Sequence, residues 1–533
     1  MPSNVTLSCD TNQALGLGQF AIDFLSGALG PGPDQSVLDR TLLFHTDAVL
    51  CGLSALALHC NAPTVLRDEA LLYRCADPAK SAFVFGSNQQ VWAEKAIVAN
   101  CAAVREWDSN GTNFGFRPEK GHTAGEFGHN DFYPVVVAAC QQRELDGATA
   151  LKAMVLVDEI RGRLAEVFSL KSYKIDHVVH GAIASAATYG ALMGATAEQI
   201  ECAIGMVVAH YIPWRAIRAG KQLSDSKGSS AALSSEIAVM SVKRTMAGFV
   251  GPRDIFRNPE AVFRFFEPTT EGKDRWKESG DSPFELVLSH SGNDFAVMGM
   301  HFKLGLYEHQ SAGALQAVID MVADNPALSS NACADVEKIE ILAYEPAYGI
   351  IGNPMKKEPK TRQSADHSMA YIVATLLRKA SESPSEIGQS KQGSNGQLWK
   401  SLMLMPTDYA VNDSGVFNPA TKTLMDKIEF SHGGPDYDAK YPDGIPTSVK
   451  ITTKGGTVLE SGLVMYPAGH ARNTSANLHD ILDHKFRLLS TIAIPDGEDP
   501  DRLVAALQAL PSLTAFELAG ITDWDIAHRD AID

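Results

Sequence analysis

The stretch "GAIASAATYGALMGATAEQIECAIGMVVAH", residues 181–210, decides the architecture. Its small residues recur between Ile, Leu, Met and Val, the composition of helices that approach one another closely. Gly194-Ala195 divides the run into two helices, and Thr196 with Gln199 has the spacing of a capping box that opens the second. Outward from here the helical grammar continues. "VLDRTLLFHTDAVLCGLSALAL" at 37–58 steps its apolar residues by three and four, and from about 11 to 265 few strand signals interrupt. Past about 290 the pattern changes. "VEKIEILAY" (336–344), "DKIEFSHG" (426–433) and "SVKITTKGGTVLESGLVMYP" (448–467) alternate apolar and polar positions, with Gly-Gly at a hairpin turn. Helices at 310–325 and 367–380 lie between them, predicting an α+β unit with an antiparallel sheet. A Gly/Ser/Gln-rich piece at 381–397 reads as an exposed loop, and residues 476–510 return to helix. The expectation is a mainly α protein: an all-α domain over 1–292, an α+β domain over 293–470, and C-terminal helices over 471–533 that complete the first.

Composition narrows the function. A chain of 533 residues, 45% hydrophobic, fills a large core. Its net charge of −17 argues against nucleic acid and against an anionic membrane surface. The N-terminal stretch has no basic region before its apolar residues, and no apolar run reaches a bilayer span, so a soluble cytoplasmic protein is expected. The eight cysteines form no C-x-x-C pair and sit mostly in apolar runs, which favours buried thiols over disulfides, structural zinc or an iron–sulfur cluster.

Four segments carry chemistry. "REWDSNGTNFGFRPEKGHTAGEFGHNDFYP" (105–134) packs Asp108, Thr112, His122, His129 and Asp131 among five glycines, between two helical runs. Its aromatic residues, Trp107 and Phe132 among them, make it too apolar to be wholly solvated. Polar groups under such cover need partners, at roughly 1–3 kcal/mol each when unmet. "SYKIDHVVHGAIAS" (172–185) sets Asp176 and His177 before a helix, where a dipole end can bind an anion or depress a histidine. "WRAIRAGKQLSDSKGSSAAL" (214–233) gathers Arg215, Arg218, Lys221 and Lys227 against one Asp225 in an acidic chain, the local reversal a di- or tricarboxylate pocket requires. "TRQSADHSMAYIVATLL" (361–377) brings Ser364, Asp366 and His367 to a helix start, and "YPAGHARN" (466–473) adds His470 and Arg472. Taken alone, a capping aspartate, a solvated charge cluster and an N-cap explain most of the last three. No G-x-S-x-G, P-loop, H-E-x-x-H or dinucleotide-binding motif offers a competing answer.

Taken together and in this order, these segments resemble the MmgE/PrpD family, whose best-known members are 2-methylcitrate dehydratases and cis-aconitate decarboxylases. The resemblance rests on "TDAVLCGLSAL", "WDSNGT" followed by "GH", "IDHVV", "WRAIRAGKQLSDSK", "SADHSMAYIVA" and "YPAGHAR", and it runs nearly the whole chain. It implies a large all-α domain, a smaller α+β lid, a pocket between them, a homodimer, and chemistry without metal or other cofactor. Its functional positions fall on Asp108, Thr112, His122, His177 and Lys227, and on His309 in "LYEHQSAG"; Arg215, Arg218, Asp366 and His367 match family positions that hold substrate. This chain departs from the family where Ser109-Asn110-Gly111-Thr112 replaces Phe-Asn-Asp-Thr, losing a carboxylate, and where "TAGEFGHNDFYP" adds His129 and Asp131. The expected reaction is loss of water by β-elimination from a small polycarboxylate, with His177 or His122 as base. Decarboxylation of cis-aconitate, epimerisation of a dicarboxylate of the iminodisuccinate type, and a catalytically silent binding member remain alternatives.

Overall fold

The structure, a computed structural model, describes residues 3–112, 116–122, 129–218, 222–266, 280–383, 387 and 394–533. Lys221 and most of the Gly/Ser/Gln-rich piece lie outside the described residues. Helices α1 (Gln13–Ser26), α2 (Gln35–Ala57), α3 (Asn61–Leu72), α4 (Ala93–Arg105), α5 (Tyr133–Arg143), α6 (Gly147–Val167), α7 (Val178–Met193), α8 (Ala197–His210) and α9 (Ser226–Met246) build the helical body. α7 lies at its centre, buried almost from end to end against α6, α8 and α9. Val178, Ile183 and Tyr189 lose all solvent contact there, each burial stabilising the fold by about 1.5–3 kcal/mol.

The small residues of 181–210 act as their spacing predicts. A Cβ on Gly181 would lie 1.9 Å from the ring of Phe132, so only glycine admits that ring against α7. Gly194 ends α7 in the left-handed region at φ 84°. Thr196 then caps α8: its hydroxyl accepts from the Gln199 N–H, and the Gln199 side chain accepts from the Thr196 N–H at 2.9 Å. Two short antiparallel pairs, Asn4–Leu7 with Leu286–Ser289 and Ser81–Phe83 with Gln90–Trp92, are embedded in this body.

The second unit is a four-stranded sheet in the order Ile428–His432, Val336–Ala343, Thr447–Thr453, Val458–Glu460. The last three strands are antiparallel, but Ile428–His432 runs parallel to Val336–Ala343, with Ile341 opposite Phe430. The sheet is therefore mixed, not antiparallel throughout. Its parallel pair is joined through the helices Arg362–Ala365, Met369–Glu382 and Pro419–Asp426, the long crossover that parallel pairing demands. Thr447, Val449, Ile451 and Thr453 alternate inward, and the helix Ala312–Asp324 packs on this strand. The helix Leu478–Ala493 returns to pack on α2, and its buried Lys485 pairs with Asp47 at 2.7 Å. The result is a mainly α fold with a smaller α+β unit. No single helix among the described residues is long and apolar enough to cross a membrane.

Candidate active site

The 105–134 loop leaves α4 and re-enters at α5, and its two described ends are buried. Trp107 is inaccessible, donates to Ser54 Oγ at 2.9 Å, and carries the Arg362 guanidinium 4.8 Å over its ring. Asn110 donates to Asp131 at 2.7 Å, Arg105 lies 3.6 Å from the same carboxylate, and the Arg105 guanidinium meets His129 Nε2 at 3.2 Å. The far end of the loop is thereby tied to its start. The second unit grips the start as well: Tyr307 N–H donates to Asp108 O at 2.9 Å and Ser109 Oγ to Gly305 O at 2.9 Å. Lys485 donates to the carbonyls of both Ser109 and Lys303. These bonds offset part of the desolvation cost that the loop's aromatic cover imposes; Asn110 Oδ1, Thr112 Oγ1 and Asp131 Oδ2 are buried without a hydrogen-bond partner among the described residues.

Asp108 is the hub. It contacts Lys303, lies 3.2 Å from Lys227 and 3.6 Å from Arg105, and faces His367 Nε2 at 3.2 Å. Burial opposes its charge, but Lys303, Lys227 and Arg105 overcome that and hold its carboxyl well below the usual range. Asp366, completely buried, accepts from Lys227 at 3.4 Å and faces His367 Nδ1 at 2.6 Å. Asp108, Asp366 and His367 offer three donor atoms within 4.8 Å of one another, a spacing that suits a metal ion. Lys227, Lys303 and Arg105 already stand against these carboxylates, so the positive charge comes from the chain.

Beside this hub opens a cavity of about 320 Å³ between the helical body and the second unit. Arg105, Lys174, Arg215, Arg218 and Lys356 line it together with Asp108, Glu308, His129, His177 and His367, and the segment 349–355 supplies an apolar lip. His129 and His177 stand 5.8 Å apart, ring to ring. His177 Nδ1 is 3.5 Å from Asp176, which is itself gripped by Arg218. Burial, then the neighbouring guanidinium groups, push His177 well below an ordinary histidine, so its ring is neutral. Burial and Arg105 do the same to His129. Glu308 is moved the other way: burial and Asp108 push its carboxyl up to about 8.

The structure brings Asp108, His177, Arg215, Arg218 and His367 to this cavity, and places Lys227 and Asp366 directly beneath it. Ser368, not Ser364 or Asp366, caps the helix Met369–Glu382; Ser364 instead accepts from Leu223 N–H at 2.9 Å. Thr112 and His309 lie away from the cavity. Thr112 pairs its backbone with His301, and His309 stacks on that same His301 ring at 5.1 Å. His122 is not in the cavity either. Its Nδ1 meets Glu166 of α6 at 3.2 Å, beside Arg117 and Arg163. His129, not the candidate base His122, lies in the cavity, 5.8 Å ring to ring from His177. Lys303, Arg105, Lys174 and Glu308 were not singled out by that reading. A lysine or glutamate in an otherwise apolar run, as in "MHFKLGLYEHQ", was the available signal for two of them.

The family's two sequence profiles, described as the MmgE/PrpD N-terminal domain and the MmgE/PrpD C-terminal domain, match residues 25–273 and 309–508. The chain belongs to the MmgE/PrpD family. Curated relatives include the 2-methylcitrate dehydratase of Escherichia coli (strain K12), 24% identical over 344 residues, which are 63% of this chain and 62% of the relative. The alkylcitrate dehydratase phiI of Fungal sp. (strain ATCC 74256) is 23% identical over 353 residues, 66% of this chain and 62% of the relative. The mitochondrial 2-methylcitrate dehydratase of Yarrowia lipolytica (strain CLIB 122 / E 150) is 24% identical over 369 residues, with 69% and 64% covered. The match to this MmgE/PrpD chain thus spans just under two thirds of the length of these relatives.

Proposed function

We propose that this protein is a lyase that removes water from a small polycarboxylate by β-elimination, the activity that the names of its relatives suggest. One observation carries the reading: five cationic side chains converge on a cavity that also holds two neutral imidazoles. Arg105, Lys174, Arg215, Arg218 and Lys356 bind the carboxylates, the arginines in forked pairs of hydrogen bonds. His177 is the base. Asp176, 3.5 Å from its Nδ1, stabilises the imidazolium that forms when Nε2 takes the proton. The Nε2 lone pair takes the proton α to a carboxylate, and the developing aci-carboxylate charge spreads onto the cations, the largest stabilising effect expected in such a site. The C–H electron pair becomes the double bond, and the β-hydroxyl departs as water. Asp108 with Lys227, Lys303, Asp366 and His367 forms a charge-balanced floor that fixes the cavity's shape.

Incubation with 2-methylcitrate, citrate, cis-aconitate and iminodisuccinate, each alone, tests the proposal. The expected result is ultraviolet absorbance from an unsaturated product of a hydroxy acid. Release of CO₂ from cis-aconitate, or deuterium wash-in without loss of mass, with no dehydration of any hydroxy acid, would replace β-elimination by decarboxylation or epimerisation.

A further inference from the structure

Water cannot leave from the β-carbon without a proton, and the cavity's imidazoles are poorly placed to give one. His129 Nε2 receives the guanidinium N–H of Arg105. Both nitrogens of His367 already face carboxylates. We propose that Glu308 is the proton donor of this site, delivering its carboxyl proton to the departing hydroxyl. The inference deepens the β-elimination reading and rests on it.

The geometry holds Glu308 in place for that task. It lines the cavity with His177 and Arg105 and is only 8% exposed. Its Oε2 accepts from Gln310 N–H at 2.7 Å, and its own N–H donates to Asp366 O at 2.9 Å. With Oε2 engaged as an acceptor, the proton belongs on Oε1. The groups that act on it are Asp108, Lys303, Lys227 and Tyr344. Burial and the Asp108 charge outweigh the two lysines and raise its carboxyl to about 8, so it enters the reaction protonated at neutral pH. His177 is displaced in the opposite direction. Two groups lining one cavity with proton affinities pushed apart are the pattern of an acid and a base working together.

The step balances. His177 Nε2 takes the α-proton, the C–H pair forms C=C, the C–O bond breaks toward oxygen, and the Glu308 proton completes water. This leaves an imidazolium and a carboxylate. Their exchange with solvent after product release resets the site.

Glu308→Gln keeps shape and hydrogen bonding but carries no transferable proton. Its kcat for dehydration should fall about 10²–10⁴-fold, with KM changed little and the basic limb of the pH–rate profile, near 8 in the wild type, abolished. Exchange of the substrate α-proton with deuterium should persist, because His177 is untouched. Glu308→Asp, which retracts the carboxyl by one methylene, should fall between the two. Wild-type kcat with the basic limb intact in Glu308→Gln overturns the proposal. Infrared difference spectra of protein labelled with ¹³C-glutamate give a readout free of turnover: a protonated carboxyl band at neutral pH, lost in Glu308→Gln, supports it, and its absence from the wild type overturns it. A wild type that dehydrates no polycarboxylate sinks the lyase reading instead, and the infrared band then still decides Glu308.

Discussion

Two cavities of nearly equal size, about 320 and 330 Å³, are built from the same residue types but differ in charge balance. In the first, Arg105, Lys174, Arg215, Arg218 and Lys356 stand against two lining carboxyl groups, of which Glu308 is protonated near neutral pH. The second is lined by Arg117, Arg163 and Arg472 together with Glu119, Glu166, Asp294 and Asp443. There the charges cancel locally: Arg117 and Arg163 both meet Asp294 and Glu166, and Arg472 meets Asp443. Its two histidines are close together, His301 and His470 3.8 Å apart ring to ring at a 31° tilt, with His309 stacked on His301 at 5.1 Å. Arginine and histidine alone therefore do not make a carboxylate site. Of the two, the first cavity has the excess of cations over carboxylates at its wall on which the proposed carboxylate binding rests.

The contrast is most exposed to attack at the two histidines that the sequence treats as equals. His177→Ala should lower kcat about 10²–10⁴-fold, the usual worth of a general base. His122→Ala, beside the second cavity, should leave kcat within about threefold, as for a residue outside the reacting groups. Steady-state kinetics on the substrate that gives absorbance decides it: equal losses would show that both cavities share in the chemistry and dissolve the distinction.

That pair also marks where the sequence stops being legible. The helical body is written locally, in periodicity and in caps such as Thr196–Gln199, so its elements follow from neighbours in the chain. The parallel placement of Ile428–His432 does not, because strand direction is set by a crossover of many residues and leaves no mark on the strand itself. The site divides the same way. Asp108, His177, Arg215 and Arg218 stand out as polar residues at helix ends. That His129 and not His122 lies in the cavity depends on their contacts with Arg105 and Glu166, separated by 24 and 44 positions. Lys303 and Glu308 hide in an apolar run because their partners, Asp108 and Asp366, come from distant segments.

A smaller effect is expected from the arginines. Arg215→Ala should raise KM roughly 10–100-fold, since a hydrogen bond between charged groups contributes about 1.5–3 kcal/mol. Arg472→Ala, nearly half exposed and already neutralised by Asp443, should change KM less than about twofold. Isothermal titration with the same polycarboxylate separates binding from turnover. If Arg472→Ala weakened binding as much as Arg215→Ala, the second cavity would hold substrate too.

The last effect concerns stability, and it arises in the closely packed histidines. Burial, then Arg472, lower His470 to about 3, whereas in the unfolded chain it titrates near 6.5. Above about 6.5 neither state takes the proton and the stabilisation is fully present. Between about 6.5 and 3 the unfolded chain binds a proton that the native stack refuses, so unfolding free energy falls as pH falls, by at most about 1.4 kcal/mol per pH unit for one group. Burial, then His470 and His309, also hold His301 down, and burial, then Lys303 and His470, hold His309 down. Urea midpoints followed across this window should therefore drop steeply in the wild type, and His470→Gln should remove up to one proton from the slope. The second cavity has no surplus of cations to gather an anion that would offset these charges, so added polycarboxylate should leave the contribution of His470 unchanged while stabilising the protein as a whole through the first cavity. An unaltered slope in His470→Gln would mean that the stack opens to water before it titrates, and the second cavity would then lose its standing as a rigid, purely structural counterpart of the first.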